Sequence, residues 1–156
     1  MQPYSDITEP HRILQPASAV LVVDYPSREV PETLARAGLQ VIVRGGPGPT
    51  DYAAYEVDHG EVVVRRTGRA PVRVDVVYAH RPVAELTAII GAARALGAKA
   101  VWLQSGVDER GEKQPAGCWM PADDVAAARA AVGGAGLELV WDEWIVDAAR
   151  RLDHPG

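Results

Sequence analysis

The chain has a single cysteine, Cys118, so it can form no internal disulfide and cannot build a thiolate metal site from sulfur alone. That scarcity fits a reducing cytoplasm. No apolar run approaches the length needed to cross a bilayer, and Met1 to Pro16, polar and broken by Pro3, Pro10 and Pro16, has no signal-like apolar core. The sixteen Lys and Arg residues are scattered, with a net charge of -5, so no basic stripe tracks a phosphate backbone and nucleic acid is not an expected partner. His11, His59, His80 and His154 lie at no metal-ligand spacing, and repeats, low-complexity tracts and a G-x-G-x-x-G are all lacking. Neither a metal nor a membrane is expected.

What is present is an ordinary globular composition, 47% hydrophobic and 24% charged over 156 residues, enough for one domain with a sizeable core. Residues 1–12 read as an irregular arm, with a short turn through Arg12-Ile13-Leu14 packed under the sheet. Ala19 to Val23 is a continuous valine-rich run, the pattern of a strand covered on both faces. It ends abruptly at Asp24-Tyr25-Pro26. Ser27 has the character of an N-cap, with Glu29 and Glu32 in the first turn of a helix that stops at Gly38.

Strand and helix then alternate. Strands are predicted over 39–43, 61–65, 72–78, 100–103 and 137–141, with helices from Pro82 to Gly97, from Pro121 to Gly133-Gly134, and from Trp144 to Leu152. Arg44 to Pro49 is a glycine-proline loop, Asp51 to Tyr55 reads as a helical turn, and Ser105 to Pro121 is a long connection with the position of a lid. The alternation argues for a mostly parallel sheet of about five strands with helices on both faces. In such folds ligands bind at the carboxyl edge of the strands.

Several segments carry a resemblance. Gly97-Ala98-Lys99-Ala100-Val101-Trp102-Leu103-Gln104-Ser105-Gly106-Val107 is similar to the fourth-strand signature of the small bacterial CoA-binding domain family, and Pro26-Ser27, Val30, Leu34 and Gly38 fall on the pattern of its first helix. Asp75-Val76-Val77 with Arg81-Pro82 resembles its third-strand segment, and Gly136-Leu137 with Asp142 resembles its last strand. The likeness runs from about Ile13 to Ala148. It implies a Rossmann-like sheet, similar to the CoA-binding domain of the succinyl-CoA synthetase α subunit, in the order 3-2-1-4-5. The crevice then lies between the first and fourth strands. The implied ligand is CoA, an acyl-CoA or a related adenine nucleotide, with Tyr25, Ser27, Arg44, Arg81, Gln104 and Ser105 as its contacts.

This chain departs from the family where pyrophosphate would sit. The family has a glycine at the end of the first strand, then a serine-containing loop and an arginine; here the shorter Asp24-Tyr25 stands in their place, a degenerate phosphate loop. A carboxylate there repels phosphate. Two readings of Asp24 stay open: a turn residue bonding the backbone of Tyr25 to Ser27, or a polar contact or general base for a neutral ligand. Arg44 reads as a phosphate contact or a solvated side chain. His80 reads as an acid-base group or a capping histidine, and Trp102 as core. Cys118 is either a loop cysteine or, with Asp24 and His80, part of a catalytic set. Three functions follow: a CoA-binding module, a divergent enzyme acting on a small organic substrate without CoA, or a scaffold or homodimer subunit using Trp141 and Trp144.

Overall fold

A computed structural model describes residues 9–152 except 47, 109, 111, 115, 116 and 118. Cys118, most of the N-terminal arm and His154 lie outside the described residues. Among the described residues the chain forms one sheet of seven strands: β1 (Ala19–Val23), β2 (Gln40–Arg44), β3 (Tyr52–Asp58), β4 (Glu61–Arg66), β5 (Val76–His80), β6 (Ala100–Gln104) and β7 (Glu138–Val140). The helices are α1 (Glu9–Leu14), α2 (Glu29–Arg36), α3 (Leu86–Ala95), α4 (Ala122–Gly134) and α5 (Ile145–Arg150). None is long and apolar enough to cross a membrane.

The α/β class and the mostly parallel sheet are as expected; the strand number, seven rather than about five, and the strand order are not. The order is β4-β3-β2-β1-β5-β6-β7, with β3 and β4 antiparallel. The strand expected beyond β2, here β5, instead pairs with β1 in parallel, Val23 opposite Ala79. The cause lies in the chain connectivity. A loop brings β3 back along the free edge of β2, so that edge is taken and the next parallel strand, β5, joins the other flank of β1.

The helical turn expected over 51–55 is strand β3. Ala53 and Ala54 have weak strand preference, but they lie opposite Val43 and Ile42, and that pairing outweighs propensity. His59 and Gly60, with φ of 53° and 82°, form the two-residue turn that joins β3 to β4. Ser27 does not cap α2: Arg28 occupies that position and no side chain bonds the free amides. Helix α1 begins at Glu9, so the arm is regular earlier than position 12. The strand expected over 72–78 is shifted to 76–80.

Two apolar layers sandwich the sheet. One face packs Val20, Val22, Tyr78 and Trp102 against α1, α2 and α5; the other packs Leu21, Val77, Ala79 and Leu103 against α3 and α4. β6 is buried at every position, the mark of a central parallel strand. Asp75, just before β5, ties the start of β1 in place: its Oδ2 accepts from Ser18 N at 2.8 Å, Ser18 Oγ at 3.0 Å and Ala19 N at 3.0 Å. Burial pushes its carboxyl up, but these three donors outweigh that and hold it below the usual carboxylate range. Asp75→Ala is expected to lower stability by about 1–2 kcal/mol in urea unfolding. Because the folded pKa is depressed, that contribution is complete above the unfolded carboxylate value and fades as pH falls through the folded one.

Candidate functional site

β1, β2, β5 and β6 all point their carboxyl ends to one edge, and the chain leaves β1 for β2 on one side while β5 flanks it on the other. That reversal opens a crevice between β1 and β5. The expected crevice between the first strand and β6 is corrected by one strand. A furrow of three adjoining cavities crosses this edge. The cavity of about 590 Å³ is lined by Asp24, Pro26, His80, Arg81, Ser105 and Gly106, among others. A middle one of about 400 Å³ lies among Asp24, Arg44, Gly45, Gly46, Arg81 and Glu85. The third, about 330 Å³, includes Tyr25, Gly45, Tyr52, Tyr55, Val64 and Arg66 in its walls.

Asp24 stands at the centre. Its φ of 62° is left-handed, the conformation a glycine takes freely and aspartate tolerates. The backbone thus keeps the shape that favours glycine while carrying a carboxylate. Oδ1 accepts from Tyr25 N at 2.8 Å, the turn contact read from sequence. Oδ2 accepts from Arg81 Nη1 at 3.0 Å, an ion pair the sequence did not announce. Arg81 Nε also donates to Glu85 Oε1 at 2.9 Å, and Nη2 pairs with Glu85 Oε2. Glu85 first, then Asp24, holds the guanidinium above its ordinary pKa, and Arg81 in turn lowers the Glu85 carboxyl. All three side chains are well exposed, so each pair contributes little stability. The consequence is positional: Arg81 is already neutralised by two carboxylates.

His80 is half-buried, with its ring against Gly106. A Cβ on Gly106 would lie 2.9 Å from Nε2 and 3.0 Å from Cε1, and Gly106 also has φ +78°. His80 Nδ1 is buried with no partner among the described residues. Burial pulls its pKa down, Asp24 raises it and Arg81 lowers it, with a net shift downward. An NMR titration is therefore expected to give a midpoint below the ordinary histidine value, and lower still in Asp24→Asn. Folding stability from this group is complete above the unfolded pKa and lost on acidification toward the folded one.

Tyr78, two residues earlier on the same face, has a buried hydroxyl without a partner, and burial first, then Asp24, raises its pKa. Gln104, opposite His80, is fully buried and does not line the furrow. Its Oε1 accepts from Ile145 N at 3.3 Å, while Nε2 has no described partner. Ser105 does reach the crevice, where Val107 N donates to its Oγ at 3.4 Å.

The connection after β6 folds back on itself. Gly106 N donates to Gly117 O at 3.0 Å, Gln114 N to Gly106 O at 3.0 Å and Trp119 N to Val107 O at 3.2 Å. Gly117 leaves no room for a side chain, since a Cβ would come within 2.3 Å of Val107 O. This braced turn walls one end of the furrow.

At the other end, the glycine loop wraps round Asp51, whose Oδ2 accepts from Gly48 N at 2.9 Å. Arg44 Nε donates to Gly46 O at 3.2 Å, which aims the side chain over the middle cavity. Tyr52, Tyr55, Val64 and Arg66 of the β3–β4 hairpin wall the third cavity, and the sequence does not announce them because 51–55 reads as a helical turn. The signal available was Asp58-His59-Gly60 between two strand-like runs. Tyr25 and Tyr55 hydroxyls meet at 3.5 Å, and Arg28 lies 5.7 Å over the Tyr55 ring. Arg66 has no ion-pair partner among the described residues.

Ser27 is not brought to the furrow. It lines another cavity, about 790 Å³, which runs along α2 and α5 among Glu29, Glu32, Arg36 and Arg150. We place the site in the furrow because the strand ends and the switch point converge there, whereas Glu29 and Arg150 in the groove along α2 and α5 already pair at 2.8 Å. Trp102 is core, as expected. Among the described residues no group of three or more His, Cys, Asp or Glu is placed to hold a metal.

A family model described as CoA binding domain matches residues 19–148. No curated protein matches the chain.

Proposed function

The chain belongs to the CoA-binding domain family, and we propose that it binds CoA, an acyl-CoA or a related adenine nucleotide in the furrow along the carboxyl edge. The carrying observation is the division of charge along that furrow. Arg81 is held by Asp24 and Glu85, whereas Arg44 and Arg66 face the two cavities that share Gly45 and have no carboxylate bonded to them. Phosphates therefore go to the β2–β4 side, onto the two guanidiniums that no carboxylate occupies, with Asp24 and Glu85 at the margin of the middle cavity and Asp51 in the wall of the outer one. Tyr25, Tyr52 and Val64 offer an apolar and aromatic wall for the base. The rest of the ligand runs past Asp24 toward Ser105 and Gly106, where polar contacts suit an amide-containing arm. A cytoplasmic setting belongs to the same reading.

Thermal shift and calorimetry with CoA, acetyl-CoA, ADP and NAD test it. CoA at a hundred times its dissociation constant is expected to add about 2.7 kcal/mol of stability, a rise of roughly 5–10 °C in Tm. No response to any adenine nucleotide would overturn the reading.

One observation favours a second reading, an enzyme acting on a small neutral substrate. His80, whose pKa burial lowers, and the Asp24 carboxylate both line the cavity of about 590 Å³, an arrangement suited to proton transfer. Turnover abolished by both His80→Ala and Asp24→Asn, with no nucleotide response, would select it.

A further inference from the structure

β4 is the outer strand at one end of the sheet, and its sequence, Glu61-Val62-Val63-Val64-Arg65-Arg66, is unusual for an edge. Open edges are commonly blunted by charge or proline in the middle. Here the middle is three valines, with Val63 42% and Val64 47% exposed, and charges of opposite sign stand at the two ends. The strand is also held ready. Arg36 Nη1 donates to Gly60 O at 3.0 Å, and Arg65 Nε donates to Glu56 Oε1 at 2.9 Å.

Its hydrogen-bonding groups can be assigned from the turn. In a two-residue hairpin the closing pair, Asp58 with Glu61, bonds inward, so alternation along the ladder turns the main-chain groups of Val62, Val64 and Arg66 outward. A second copy pairing antiparallel about a two-fold axis must place like faces together, so the axis passes beside one residue. Centred on Val63, the pairing sets Val63 against the partner's Val63, Val62 against the partner's Val64, and Glu61 against the partner's Arg65. Centred on Val62 or Val64, it loses both charge pairs and sets a charged side chain against valine instead. The sequence is thus self-complementary in one register.

We propose that β4 is the seam of a symmetric homodimer in which two sheets join edge to edge, with Val63 facing its own copy. The inference is independent of which ligand occupies the furrow. It is tested in the full chain with Cys118→Ser, so that an introduced thiol is the only one. Val63→Cys sits at a non-hydrogen-bonded pair, close enough for a disulfide, and is expected to give a covalent dimer under mild oxidation at least about tenfold faster than Val64→Cys, whose own copy is displaced along the strand. In sedimentation equilibrium Val63→Lys is expected to weaken dimerisation at least about tenfold, since like charges then face each other, with an unchanged circular dichroism spectrum. A chain monomeric at its highest soluble concentration, equal cross-linking at both positions, or a dimer indifferent to Val63→Lys would each overturn the proposal.

Discussion

Removing Arg44 and Arg66 together is expected to weaken CoA binding by about a hundredfold while leaving the Tm of the ligand-free chain within a few degrees of wild type. Each guanidinium can make charge-assisted bonds to phosphate oxygens worth about 1.5–3 kcal/mol, and the lower figure applies because both side chains touch solvent. Two such losses reach about 3 kcal/mol, or two decades of affinity. Isothermal titration of Arg44→Ala, Arg66→Ala and the double variant measures this directly. Each single variant should lose roughly a decade, and the salt dependence of binding should flatten as the cations are removed. Asp24→Asn should move affinity the other way, because it removes a like charge beside the phosphate path and releases Arg81 from one of its two carboxylates. Unchanged affinity in the double variant would place the phosphates elsewhere.

This prediction rests on side chains of unequal visibility in sequence. Arg44 could be read because it ends a strand-like run and opens a glycine loop, a local pattern. Arg66 could not, since its role depends on β3 and β4 folding back beside β2. Tyr-Ala-Ala-Tyr reads as a helical turn until the Asp58-His59-Gly60 hairpin gives it antiparallel partners. The same hairpin overturns the strand order: it takes the free edge of β2, β5 lies beside β1, and His80 and Arg81 come to Asp24 directly. Valine-rich runs and glycine stops reveal which segments are strands and helices, because those depend on near neighbours. Which strand flanks which is a long-range choice that periodicity does not record.

Gln104 shows the same limit in reverse. In sequence Gln104 stands with Ser105 at the end of a strand, among the ligand contacts the family resemblance implies. In the structure Trp102 and Gln104, alternate residues on one face of β6, grip the two ends of the turn before α5: Trp102 Nε1 donates to Glu143 O at 2.9 Å, and Gln104 Oε1 accepts from Ile145 N at 3.3 Å. The Trp-x-Gln spacing is therefore accounted for as a clamp on the C-terminal helix. Trp102 is fully buried between Tyr78 and Val140 on the neighbouring strands, so Trp102→Ala removes both a large core side chain and the bond to Glu143. It is expected to cost about 3–5 kcal/mol in urea unfolding, a large part of the roughly 5–15 kcal/mol typical of a domain. Trp102→Phe should cost less, because most of the packing survives and only the indole donor is lost. Gln104→Leu should likewise lower stability while leaving the CoA dissociation constant within about twofold in folded protein, an outcome a direct ligand contact would not allow. A fall in CoA affinity with unaltered stability in that variant would return Gln104 to the binding site and displace the clamp as the reason for the motif.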